Sequence, residues 1–91
     1  IEHAAVLESA VIGKPDPERT EIVKAFVVLN PGYEASPALA EELRLHVRAR
    51  LSAHAYPREI DFVADLPKTP SGKVQRFLLR QEEVNRARAP E

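Results

Sequence analysis

The run Ile22-Val23-Lys24-Ala25-Phe26-Val27-Val28-Leu29 constrains the fold of this chain more than any other stretch. It is nearly all apolar and rich in β-branched side chains, which fits a strand covered on both faces. Asn30-Pro31-Gly32 closes it as a turn. Such a strand needs a layer above and a layer below, and a chain of 91 residues has little material for either. A domain of this size buries only roughly 60–65% of the surface that its unfolded form exposes. With three Phe, two Tyr and no Trp or Met, the core has to be modest and aliphatic.

The other elements are set by local pattern. Ser9-Ala10-Val11-Ile12 is a short apolar run closed by Gly13 and Lys14-Pro15-Asp16-Pro17, which predicts a strand running into a proline-stiffened loop. Its nearness to the first run predicts that the two strands pair. Ser36-Pro37 predicts a helix start, with Ser at the N-cap and Pro at the first helical position. Leu39, Leu43, Val47 and Leu51 make one apolar stripe. Glu41 and Glu42 are expected in the first turns and Arg48 and Arg50 in the last, matching the helix dipole, with the end near Ala53. Glu59-Ile60-Asp61-Phe62-Val63 alternates as a half-exposed strand does. Leu66 to Lys73 holds two prolines and a glycine and is expected to be loop. A last helix is predicted from Val74 or Gln75 to Arg86, carrying Phe77, Leu78 and Val84, with a frayed tail after it. The order β-β-α-β-loop-α gives one α+β domain over residues 1–91, a small three-stranded sheet flanked by helices.

Composition removes whole classes of function. Without cysteine there is no disulfide, thiolate nucleophile or Cys-ligated zinc or iron–sulfur site. No apolar run approaches the ~20 residues that span a bilayer. A net charge of −1 argues against a general nucleic-acid binder. The expectation is a small cytosolic unit, and a start at Ile1 with no initiator Met reads as a segment of a longer chain. The charge is unevenly divided: residues 1–43 hold eight acids and three bases (net −5), residues 44–91 six acids and ten bases (net +4). That division reads as ordinary solvated faces, or as a second half that meets an anion.

Ser71-Gly72-Lys73 is where chemistry is most readily placed. Gly72 permits a positive φ or a close approach to a ligand, and the prolines stiffen the arm that carries Lys73. A lysine so held is a positioned point charge suited to phosphate or carboxylate oxygens. The loop is not a Walker A loop, because Gly72 has no partner glycine five residues upstream. Spacing alone leaves Lys73 as either an anion contact or an ordinary surface lysine. His3, His46 and His54 share no metal-ligand spacing, and Ser52 and Ser71 lack a His–Asp pair for a hydrolase triad. Arg76 and Arg80 either steer anions or form a solvated helix face.

Leu66-Pro67-Lys68-Thr69-Pro70-Ser71-Gly72-Lys73-Val74-Gln75-Arg76 resembles the PKTxSGKxxR motif near the C-terminus of acyl-CoA synthetases, members of the adenylate-forming superfamily. Glu2-His3-Ala4-Ala5-Val6 is similar to the family's EHPxV. Pro15 to Val27 is similar to its PDxxRGExVKAFV, and Ala55 to Val63 to its KYPRxIEFV. Four ordered blocks cover nearly the whole chain, and the Tyr-Pro-Arg form leans toward the medium-chain acyl, benzoate and acetate branches.

The resemblance implies a small C-terminal lid domain that closes over a large N-terminal domain carrying most of the ATP and acid pocket. It implies a two-step ligase reaction with ATP and CoA, and Mg2+ accompanying ATP in the other domain. In that reading Lys73 is the lysine that enters the active site for adenylate formation. Arg19, Tyr56, Pro57 and Arg58 match segments near the CoA path: the arginines as candidates for CoA phosphates or as solvated side chains, Tyr56 and Pro57 as packing residues that shape the tunnel wall. Thr20 stands where the family usually has Gly, and His54-Ala55 where Tyr-Lys is common, and both bear on the CoA side. The resemblance also exposes Lys73 to acylation in the open domain, which would remove its charge. Two other readings stay open: an adenylation enzyme that loads a carrier protein, and a non-catalytic binding domain on the same fold.

Overall fold

The computed structural model describes residues 3–50 and 56–88. Its elements keep the expected order: strand β1 (Val6–Asp16), strand β2 (Thr20–Leu29), helix α1 (Pro37–Arg50), strand β3 (Glu59–Phe62) and helix α2 (Arg76–Arg88). β1 and β2 form an antiparallel hairpin, with Ala10 opposite Phe26 and Asp16 opposite Thr20. β3 joins the other edge of β2 in parallel, with Glu59 opposite Lys24 and Phe62 opposite Val27. The result is an α+β domain with a mixed three-stranded sheet and β2 at its centre.

β2 is buried without a break from Lys24 to Val28, as its apolar run requires. Alternation along the strand sends Phe26 and Val28 to one face and Ala25 and Val27 to the other. On the first face Phe26 and Val28 pack with Ala10 and Ile12 of β1, with Leu66, and with Leu79 of α2. On the second, α1 meets β3, where Ala35, Pro37 and Ala40 face Ile60 and Phe62. Of the stripe on α1, Leu43 and Val47 are buried and Leu39 is half-buried, while Leu51 lies outside the described residues. Ser36 caps the helix, its Oγ accepting from Leu39 N at 3.0 Å.

The structure corrects several boundaries. β1 does not stop at Gly13 but runs through Lys14 and Pro15 to Asp16. It is an edge strand, so Pro15 loses no ladder bond to a third strand. Glu41 and Glu42 lie beyond the first turn of α1, so only Arg48 and Arg50 complement its dipole. The two acids have other partners, Glu41 with Arg44 and Glu42 with His3. The expected end of α1 near Ala53 lies outside the described residues. α2 begins at Arg76 and continues to Arg88, past the expected end at Arg86. Its inward side chains are Leu79 and Glu83, whereas Phe77 is 66% exposed.

The largest departure from the apolar reading of β2 is Lys24, only 3% exposed on the α2 face. Its ammonium sits 2.8 Å from Asp61 of β3, 3.9 Å from Glu59, and against Glu83 of α2, itself 3% exposed. Lys14 of β1 reaches Glu59 at 2.8 Å, and Arg86 of α2 reaches Glu83 at 3.3 Å. All three strands and α2 are thus joined by one charged cluster at the edge of the core. Burial alone would lower the Lys24 pKa, but its hydrogen bonds to Asp61 and Glu83, with their charges, outweigh that and raise it.

Candidate functional site

The chain leaves β3 with Val63 N donating to Val27 O at 2.9 Å, then seats Leu66 in the core at 3% exposure. Beyond Leu66 it folds into a braced hairpin. Lys68 and Val74 form an antiparallel bridge, and Gln75 N donates to Pro67 O at 2.8 Å. Between them Thr69, Pro70, Ser71 and Gly72 make a β-turn closed by Gly72 N donating to Thr69 O at 2.9 Å. Pro70 holds the second position, which its fixed φ suits. Gly72 has φ +89°, and an added Cβ would meet nothing within 4 Å. The glycine is therefore required by backbone conformation, not by space.

This hairpin is tied to β1. Lys68 reaches the two carboxylate oxygens of Glu8 at 2.8 and 2.9 Å, with Asp65 at 3.6 Å. The hydrogen bond to Glu8 is the main cause of a raised Lys68 pKa. Lys73 is placed differently. Lys14, Lys24 and Lys68 each have carboxylate partners, while the exposed ammonium of Lys73 has none among the described residues. Its charge is uncompensated and stands on a rigid base, as an acceptor site for an external anion requires.

Arg19 lies beyond Asp16, at the far end of β1 from Glu8. Roughly 27 Å of strand separates those two levels at about 3.4 Å per residue. The turn there is organised by Asp16, whose Oδ2 accepts from Glu18 N at 3.1 Å and Arg19 N at 2.9 Å. Thr20 comes next with φ +69°, the left-handed conformation that a glycine would adopt freely. The departure at this position thus keeps the turn and places strain on Thr20. Replacing Thr20 with Gly is expected to stabilise the domain by about 0.5–1 kcal/mol. Relief of roughly 1–2 kcal/mol of backbone strain is offset by up to about 1 kcal/mol of glycine's unfolded-state freedom. A thermal melt checks this, with a midpoint a few degrees higher.

Tyr56, Pro57 and Arg58 enter β3 near the same end. Pro57 is fully buried, and Arg58 N donates to Val23 O at 2.8 Å, which fixes the start of β3 on β2. Tyr56 is half-buried, and three guanidinium groups surround its ring: Arg48 at 5.3 Å, Arg58 at 5.8 Å and Arg44 at 5.9 Å from the centroid. The Arg44 Nε is buried without a hydrogen-bond partner among the described residues. Arg44 and Arg48 join this cluster from α1, and no motif in the sequence marks them for it. Their spacing of four on one helix is the signal that could have found them, since it places both on one face.

The structure brings Tyr56, Pro57 and Arg58 together and sets Lys73 apart from them. Arg80 is engaged with Glu21 at 3.1 Å and so is not a free anion guide, while Arg76 is exposed at the start of α2. His3 accepts from Ala5 N through Nδ1 at 3.0 Å and contacts Glu42 through Nε2 at 2.8 Å, with the His46 ring edge-on at 5.0 Å. His54 and Ser52 lie outside the described residues. Among the described residues no group of three or more His, Asp or Glu side chains could hold a metal ion, and no helix is long and apolar enough to cross a membrane.

Comparison with known proteins gives matches in both sequence and fold. The family model of the AMP-binding enzyme C-terminal domain matches residues 1–73. Acetyl-coenzyme A synthetase of Bacillus subtilis (strain 168) is 55% identical over 85 residues, covering 93% of this chain and 15% of that protein. The crystal structure of Brucella canis acyl-CoA synthetase superposes with a TM-score of 0.92 at 71% identity, over 94% of this chain and 16% of that one. The anthranilate CoA ligase AuaEII, solved in complex with anthranoyl-AMP, gives a TM-score of 0.85 at 44% identity, over 93% of this chain and 17% of that one. The chain spans about 15% of the length of the curated relatives it matches. On sequence and fold together, it belongs to the AMP-binding enzyme C-terminal domain family, and its relatives are acyl-CoA synthetases of the adenylate-forming superfamily.

Proposed function

We propose that this domain is the moving lid of an ATP-dependent acyl-CoA synthetase and that its two ends serve successive half-reactions. With Lys73 carried into the active site of a large N-terminal domain, a carboxylic acid attacks the α-phosphorus of ATP and gives an acyl-adenylate and pyrophosphate. The lid then rotates, and the end that bears Arg19, Tyr56, Pro57 and Arg58 faces CoA, whose thiol displaces AMP to form the thioester. One observation carries this reading: the lysine without an ion pair stands on a braced hairpin at one end of the sheet, and the arginine-ringed Tyr56 lies toward the other. A single rigid domain cannot present both to one reaction centre at once, so use of both calls for reorientation.

The physics suits each half. Adenylation brings a carboxylate to a polyphosphate, and charge shifts onto phosphate oxygens as the leaving group departs. A pre-positioned ammonium offsets that repulsion. CoA carries phosphates, for which fixed guanidinium groups are suited partners. Mg2+ would travel with ATP and be bound outside this chain. The 91-residue domain by itself should be inactive, and we read its compartment as the cytoplasm.

Arg58→Ala in the complete enzyme tests the coenzyme end. Loss of one charge-assisted contact is expected to raise the KM for CoA by about tenfold or more and to leave acid-dependent ATP–pyrophosphate exchange unchanged. Thioester formation that persists without free CoA, on a carrier protein instead, would replace the synthetase reading with that of a carrier-loading enzyme. Absence of both half-reactions would favour a binding domain that only shares the fold.

A further inference from the structure

We propose that Thr69 is the positioning residue for Lys73, a role that rests on the reading of Lys73 as the adenylation lysine. Lys73 comes after Gly72, the residue of this turn with the greatest backbone freedom and a φ of +89°. Left to itself, that pair can swing, and the ammonium at the end of a flexible stem swings with it. Thr69 is bonded to every residue of the turn's second half. Its N–H donates to Lys73 O at 2.8 Å, its carbonyl accepts from Gly72 N at 2.9 Å, and its Oγ1 accepts from Lys73 N at 3.2 Å. Oγ1 also lies 3.0 Å from Ser71 Oγ. Lys73 thus has both backbone polar groups held by one side of the hairpin. That side is itself fixed to β1 through Lys68 and Glu8.

Two of the three bonds from Thr69 to Gly72 and Lys73 are made by backbone atoms and would survive any side-chain change. The hydroxyl contact to Lys73 N is the part specific to this residue type. Valine keeps the shape of threonine and removes the acceptor, so Lys73 N would turn to water. Water at an exposed turn replaces that bond with little loss of folding stability. It does not replace the constraint on the Gly72–Lys73 linkage. Adenylation is the step that senses the difference, because a displacement of about 1 Å in a positioned group can cost about 100-fold in rate.

The test uses the complete enzyme that contains this domain, as Thr69→Val, Thr69→Ser and Lys73→Ala variants. Each is measured for acid-dependent ATP–pyrophosphate exchange and for thioester formation from pre-made acyl-adenylate and CoA. Thr69→Val is expected to lower kcat for exchange about tenfold or more, with the KM for ATP and the thioester half-reaction within about twofold of wild type. Thr69→Ser, which restores the acceptor, should return exchange to within about threefold. Exchange unchanged in Thr69→Val, a serine variant as slow as the valine one, or equal loss in both half-reactions would overturn the positioning role. Lys73→Ala separates the role of Thr69 from that of the lysine. If it slows exchange while Thr69→Val does not, the lysine keeps its role and Thr69 loses its own. If Lys73→Ala leaves exchange intact, the reading of Lys73 fails and the role of Thr69 fails with it.

Discussion

Lys24→Ala should lower the unfolding free energy of this domain by about 3–5 kcal/mol, the cost of breaking a buried ion pair from one side. The variant leaves Glu83 3% exposed, with Arg86 at 3.3 Å as its nearest remaining cation, on a side chain that is 62% exposed. Asp61 is 46% exposed and can recover water, but Glu83 cannot. The damage therefore concentrates on one carboxylate. Lys24→Met combined with Glu83→Leu removes both buried charges and should be closer to wild type than Lys24→Ala, because no uncompensated charge is left behind. Urea unfolding of the three proteins at neutral pH measures both effects. The same cluster sets an alkaline limit. Since the folded pKa of Lys24 is raised above its ordinary value of 10.5, its contribution is complete below pH 10.5. It is lost as pH rises through the higher folded value. The stability difference between wild type and the double variant should therefore shrink as pH rises through that alkaline window.

Lys73→Ala in the complete enzyme should slow acid-dependent ATP–pyrophosphate exchange by about 30- to 1,000-fold. That corresponds to about 2–4 kcal/mol of barrier, the size of one well-placed electrostatic stabiliser. Folding should be nearly untouched, within about 0.5 kcal/mol, because the side chain is exposed and has no ion-pair partner among the described residues. The contrast with Lys24 is direct. These two lysines belong to one small domain; one should matter to stability and the other to chemistry, and burial decides which.

Local patterns carried much of the architecture. The Ser36-Pro37 start, the β1–β2 pairing and the element order were legible because each depends on residues close together in the chain. So was the Pro70–Gly72 turn, whose glycine does adopt a positive φ. What escaped was non-local. Lys24 in an apolar strand demanded an acid partner, but Glu83 lies 59 positions along, on a helix where the apolar residues singled out from the sequence were Phe77, Leu78 and Val84. The parallel pairing of β3 with β2 leaves no mark in either strand. Pro15 read as a terminator because the sequence does not say that β1 is an edge strand. In the candidate site, Lys73, Arg19 and Tyr56-Pro57-Arg58 were marked by motif, whereas Arg44 and Arg48 join Tyr56 only once α1 is packed beside the entry to β3.

The division of labour between the two ends of the sheet is tested most directly with Lys73→Ala enzyme, by measuring thioester formation from pre-made acyl-adenylate and CoA beside pyrophosphate exchange in the same preparation. Exchange at least about 30-fold slower, with thioester formation within a few-fold of wild type, is the expected result. Equal loss in the two half-reactions would contradict it, because Lys73 would then serve both steps or neither.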